Sequence, residues 1–484
     1  MSNLHEIVFG SSDKAESKRV RQRVKIGELR EIAPRAYTSN LTDNPEKIIH
    51  RNWFFILSHL YPDAVLSHRS AIEAKPVNGH IFLTYSSTRN VNLPGLNVHL
   101  LRGEGPESGT MHFFENLHRS SEARAYLENM QSTRNVSDIS KTLDRKTFES
   151  KLEAVIRTRG EKELNKIRDE AKSLSAALNM LKEFERLNTL ISAMLSTHSS
   201  KILNSDVAKA RSLGEPFDPS REALFNLLYD YLADKDFKNY KDQNKTNKSY
   251  NTFAFFESYF SNFIEGTEFT FNEAKEIIST DTPLPERDED SHDILGTYHV
   301  VSSKEQMSIL PQSPEHFLEL LRSRHAMLLR ARRTKGPGQF KDRNNRAGET
   351  EFVDWELVAG TLKKGYQWYY LLQDSFAKAA YMMFLIAEVH PFLDGNGRIA
   401  RVMMNAELTA AGLSKIIIPN VYMIDYLDAI RKLTRRQEPD VYIRMLNRAY
   451  EFSATIHGDD LDEMEEYLRK CNAFKQGDEY ILRF

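Results

Sequence analysis

The 484-residue chain has a single cysteine, Cys471. That excludes an internal disulfide and fits a reducing compartment such as the cytosol. An excess of one charge is also missing: 66 Lys and Arg against 68 Asp and Glu leave a formal net charge of -2. Such a balance argues against a protein that coats nucleic acid over its whole surface, although local patches remain open. Long apolar runs are absent too. The longest, residues 379–389, contains Glu388 and falls well short of the ~20 residues that a membrane span needs. The opening stretch, MSNLHEIVFGSSDK, has no basic segment followed by an apolar core, so no secretory leader is read there. The expectation is a soluble, cytoplasmic protein with no membrane partner.

What is present is ordinary for a globular chain, with 28% charged and 40% hydrophobic residues. The length exceeds one compact domain, and the texture changes along it. Residues 1–110 begin with a basic cluster (Lys18, Arg19, Arg21, Arg23, Lys25) and then mix helical with strand-like pieces. Residues 80–85 and 96–101 are rich in strand formers, and Asn78-Gly79 and Pro94-Gly95 supply turns. This predicts a small α+β domain. Residues 111–214 read as a helical connector in which Leu164, Ile167, Ala171, Leu174, Leu178 and Leu181 form a heptad-like stripe. A helix packed on its own chain and a dimerising coiled coil both satisfy that stripe. Residues 196–219 and 235–251 look like linkers or surface loops. Residues 215–455 are mainly helical, and the acidic stretch from 456 to 484 reads as a solvated terminal helix.

The informative stretch is His390-Pro-Phe-Leu-Asp394-Gly395-Asn396-Gly397-Arg398-Ile-Ala-Arg401. Upstream, residues 376–389 are apolar nearly all round, as in a buried helix. Pro391 disfavours helical backbone at His390, so the helix should end with the imidazole at its lip. Downstream, residues 398–411 regain helical periodicity and Gly412 is a fitting stop. Glycines at the start of a helix let an anion approach free N–H groups at the positive end of the helix dipole. Arg398 and Arg401 lie three residues apart on one helix face and can grip two phosphates. Asp394 offers a hard oxygen ligand for Mg²⁺. His390 has the ordinary pKa of a general base at neutral pH.

This stretch resembles the Fic signature, His-x-Phe-x-Asp/Glu-Gly-Asn-Gly-Arg-x-x-Arg, at every specified position. The resemblance implies a mainly α fold with a β-hairpin flap, and transfer of AMP from ATP to a Ser, Thr or Tyr hydroxyl. It assigns His390 as the base, Phe392 as a core anchor and Asp394 as the Mg²⁺ ligand. Gly395, Asn396 and Gly397 become the anion cradle, Arg398 the β-phosphate contact and Arg401 the γ-phosphate contact. A glycine at 397, where the related Doc-type kinases carry Lys, favours AMP transfer over phosphoryl transfer. Ser261-Asn-Phe-Ile-Glu265-Gly266 resembles the inhibitory helix of this family, placed near 258–266. Ser261 and Glu265 share a helix face, and Glu265 is expected to pair with Arg401. The segment Arg332-Arg-Thr-Lys335-Gly336-Pro-Gly338-Gln-Phe340-Lys341 and the turn-rich stretch after it read as the target-docking flap, with Gly338 and Phe340 as its residues. Tyr426 falls where relatives place an aromatic residue against adenine.

Residues 27–37, 60–70 and 79–84 resemble the N-terminal part of AbiEi-type antitoxin regulators, with residues 29–38 as the wing of a winged helix. That implies DNA as a partner of the basic cluster, alongside a protein substrate and the chain itself as targets. Three competing readings remain open. They are a Fic-fused regulator of toxin–antitoxin type, a donor such as UTP, and removal of AMP.

Overall fold

The computed structural model describes the chain apart from residues 1–5, 12, 104, 107, 134–138, 197–199, 349 and 478. Two compact units result, Met1–Gly214 and Glu215–Phe484. The fold is mainly α, with an α+β portion at the N-terminus, as the sequence pattern predicts.

In the first unit a six-stranded mixed sheet runs in the order Arg89–Leu93, Leu96–Arg102, His80–Tyr85, Val65–Leu66, Leu117–Ser120, Thr110–Phe114. The runs at 80–85 and 96–101 form strands as expected, and they pair in parallel from His80↔Asn97 to Tyr85↔Arg102. Pro94 and Gly95 close the hairpin between Leu93 and Leu96, with Gly95 at φ 69°, a conformation glycine adopts without strain. Ile48, Ile49, Ile56 and Leu57 of the Pro45–Leu60 helix pack on Ile81, Leu83, Val98 and Leu100 to make the core. The boundary expected at 110 falls inside this sheet, because Thr110–Phe114 pairs with Leu117–Ser120. Residues 29–38 hold a hairpin, Arg30–Ala33 with Ala36–Thr38, joined by Ile7–Phe9 into a three-stranded sheet. Among the described residues one helix, Lys14–Lys25, precedes that hairpin.

The heptad-like stripe does not stay on one helix. Asn179 takes a left-handed φ of 55°, and the chain breaks into Glu161–Ala177 and Leu181–Met194. Leu164, Ile167 and Ala171 are buried within the unit, whereas Leu181 is 58% exposed at the start of the second helix. The single long seam a coiled coil needs is therefore missing. The expected loop at 196–219 contains the Asp206–Ser212 helix.

In the second unit Ser375–Val389 is the central helix. Its sequence is apolar all round because neighbours cover every side, and it packs against Asn396–Ala410. The expected loop at 235–251 gives way at Thr246, whose side chain caps the Asn247–Ile264 helix reciprocally with Ser249. The 456–484 segment is not merely solvated. Its helix Leu461–Lys470 turns Met464 and Leu468 into a cluster with Phe256, Phe260 and Phe271. No helix of the described residues is long and apolar enough to cross a membrane.

Candidate active site

The Ser375–Val389 helix ends where Pro391 demands. His390 caps it at φ 52°, in the left-handed region, with its N–H still donating to Ile386 O at 3.0 Å. The turn that follows is closed by Asn396, which accepts from Phe392 N and donates to Phe392 O, each at 2.9 Å. Gly395 sits at φ 72°, and a side chain there would crowd Leu329. The next helix, Asn396–Ala410, opens without a side-chain cap. The N–H groups of its first turn have no intrahelical acceptor, which makes that end an anion site.

Both motif arginines are buried, and the end of the Asn247–Ile264 helix meets each of them. Arg401 Nη2 donates to Glu265 Oε1 at 2.8 Å and to Ser261 O at 2.8 Å, and its Nε donates to Ser261 Oγ at 3.0 Å. Glu265 is one residue beyond the Asn247–Ile264 helix, as its C-cap. A Cβ at Gly397 would collide with the Glu265 carboxylate, so the absent side chain is what admits that glutamate. Arg398 Nη1 lies 2.8 Å from Asp293 Oδ2 and 3.4 Å from Asn262 Oδ1. Tyr426 departs from expectation. The residue is 2% exposed and its hydroxyl accepts from Arg401 Nη1 at 3.4 Å, so it braces the guanidinium at the cavity wall.

His390, Glu265, Gly397, Arg401 and Tyr426 share a cavity of about 680 Å³, within the range of small-molecule sites. Burial, helped by the Lys341 ammonium, pushes the His390 imidazole down to about 4. It is neutral at pH 7 and can accept a proton. Its Nδ1 faces Ala387 O at 3.4 Å, the placement in which Nδ1 carries the hydrogen and Nε2 the lone pair. Phe352 stacks on the ring at 3.7 Å between centroids.

The hairpin beside the cavity is Arg346–Ala347 paired with Thr350–Glu351, shorter and later than the sequence suggests. Gly338 and Phe340 lie outside it, which corrects their expected place on a docking flap. Gly338, at φ 73°, donates from its N–H to His325 Nδ1 at 3.0 Å, and Phe340 rests 5.4 Å from the Phe392 ring. Both belong to the floor of the 390–401 loop. His325 completes that floor. It stacks on Phe392 at 3.6 Å, and Nε2 faces Asp394 O at 2.9 Å. Because Nδ1 accepts from Gly338, Nε2 carries the hydrogen and donates. Sequence reasoning missed His325, and also Asn262, Asp293 and Phe352. None sits at a motif position, and each is brought in from a distant segment.

Asp394 is about one third exposed, with Oδ1 accepting from Gly395 N at 2.7 Å and Oδ2 3.6 Å from Lys335 Nζ. Among the described residues no group of three or more His, Cys, Asp or Glu is placed to hold a metal ion. One carboxylate beside an anion site does suit Mg²⁺, which commonly completes its shell with phosphate oxygens and water.

Comparison with known proteins defines the class. Residues 316–408 match the Fic/DOC family, so the chain carries a Fic/DOC domain there. A protein adenylyltransferase Fic from Drosophila persimilis is 35% identical over 68 residues, which is 14% of this chain and 13% of that relative's length. A Fido domain-containing protein from Dictyostelium discoideum is 27% identical over 106 residues, covering 21% of this chain and 74% of the relative. The chain thus spans only a small share of the adenylyltransferase it matches. Among solved structures, a Fic domain containing signaling protein from Bacteroides thetaiotaomicron aligns with a TM-score of 0.38 and 18% identity, covering 49% of this chain and 94% of that one. Fic-1 from C. elegans aligns with a TM-score of 0.38 and 16% identity, covering 66% and 98%.

Proposed function

We propose that the Glu215–Phe484 unit transfers AMP from ATP to a Ser, Thr or Tyr hydroxyl of a protein, itself included, and that Glu265 holds it idle. The observation that carries this is the Glu265–Arg401 pair at 2.8 Å, beside His390 in one cavity. The guanidinium best placed for a terminal phosphate is occupied by the chain's own carboxylate.

In the reaction His390 Nε2 takes the proton of the incoming hydroxyl. The oxygen forms a bond to the α-phosphorus of ATP, the bond from that phosphorus to the bridging oxygen breaks, and pyrophosphate leaves. Charge spread over the phosphate oxygens meets the N–H groups opening the Asn396–Ala410 helix and the two arginines. Asp394 is the residue that would hold Mg²⁺, and the ion would supply charge neutralisation between phosphates. Phe352 covers one face of the imidazole and excludes water from that side.

Glu265→Gly frees Arg401 and should raise AMP incorporation from ATP labelled at the α-phosphate, while His390→Ala in that background abolishes it. Labelling that stays at the wild-type level in Glu265→Gly overturns the inhibition. Intact mass with ATP and with UTP identifies the donor.

A further inference from the structure

We infer that Asp293 is the positioning residue that sets the Arg398 guanidinium for phosphate, a role that rests on the nucleotide-site reading above. Asp293 stands outside the matched family region, on the Asp288–Val301 helix, with its side chain 2% exposed. It is flanked by two cations. Arg332 donates from Nε to both Asp293 oxygens at 3.0 Å and from Nη2 to Oδ2 at 2.7 Å. Arg398 Nη1 approaches Oδ2 from the other side at 2.8 Å.

The electrostatics explain why this carboxylate is needed. Arg398 is buried, its side chain 4% exposed. Its other neighbours are weak: Asn262 Oδ1 at 3.4 Å and Asp394 Oδ1 at 3.7 Å. Without Asp293, the buried Arg398 guanidinium would face the half-buried Arg332 guanidinium across the empty position. With it, the three groups sum to one positive charge held at a fixed place beside the helix opening. Arg398 Nε finds no acceptor among the described residues, so one buried donor is left for an incoming oxygen. Arg332 also reaches Glu289 and Asp290, which ties the cluster to the first turn of the Asp288–Val301 helix. Asp293 touches no reacting atom in this arrangement. It acts through Arg398.

The test uses the full chain carrying Glu265→Gly, with Asp293→Asn and Asp293→Glu added separately. Asp293→Asn should weaken equilibrium ATP binding and raise the KM for ATP by roughly tenfold or more, with kcat changed far less. Asp293→Glu keeps the charge but moves the oxygen, and should still weaken ATP binding. In an Arg398→Lys background Asp293→Asn should add nothing further, because the two act as one unit. Phenylglyoxal labelling read by peptide mass should find Arg398 protected in the parent and modified in the Asp293 variants. A lower melting temperature with unchanged ATP affinity, additive effects with Arg398→Lys, or an Arg398 still protected in the variants would overturn the proposal. If the Glu265→Gly parent binds ATP without transferring AMP, the transfer reading fails, and the binding and labelling results still decide the role of Asp293.

Discussion

Lowering the pH should loosen the floor of the catalytic loop through His325. Burial pushes this imidazole from 6.5 down to about 4 in the folded chain. Its geometry gives the reason, since Nδ1 cannot take a proton while it accepts from Gly338 N–H. A depressed folded value means that the contribution is whole above 6.5 and drains away as pH falls from 6.5 towards 4. At pH 5 the open state is favoured by about 20-fold over its level at neutral pH, or about 2 kcal/mol, and the limit well below pH 4 is about 3.4 kcal/mol. Hydrogen exchange of the peptides around Gly338 and Gly395, corrected for intrinsic rates, reads this opening directly. His390 shifts in the same sense, so the His325→Gln variant separates the two. Its acid slope should be shallower than wild type by about 2 kcal/mol at pH 5. Equal slopes in wild type and His325→Gln would refute the reasoning.

Two further expectations concern the Asn247–Ile264 helix and its cap, Glu265. Gly397→Ala sets a Cβ against the Glu265 carboxylate, and should cost about 1–3 kcal/mol of stability in wild type and far less in Glu265→Gly, measured as the shift in denaturation midpoint of each pair. Glu257, two turns before Glu265, is buried against Lys415 Nζ at 2.6 Å and accepts from Asn405 Nδ2 at 2.8 Å. Lys415→Met leaves that carboxylate without its cation and should cost about 3–5 kcal/mol, whereas the Glu257→Gln, Lys415→Met double variant should recover much of it in the same assay.

The local pattern made much of the second unit legible before any tertiary contact was known. Residues 376–389, apolar nearly all round over a helix-length run, read as a buried helix, and it stops at His390 because Pro391 follows. The glycines around Asn396 place a helix opening where an anion can reach it. Ser261 and Glu265 face one way by their spacing of four residues. All of these depend on backbone sterics and hydrogen-bond geometry within a few residues. The heptad-like stripe left packing on its own chain and a coiled coil both open, because periodicity alone does not register a break at a left-handed Asn179. Gly338 and Phe340 misled because turn chemistry fixes a bend without fixing what it packs on.

Taken alone, the sequence decided which short segments would bend, cap and present charge, since those choices are local. Only the folded chain decided which distant groups would share one dielectric and one set of hydrogen bonds. It placed Glu265 in the gap left by Gly397, His325 beneath Asp394, and Asp293 between two guanidinia. Those pairings lie tens to more than a hundred residues apart along the chain. They are set by packing of whole helices, which no window of residues contains.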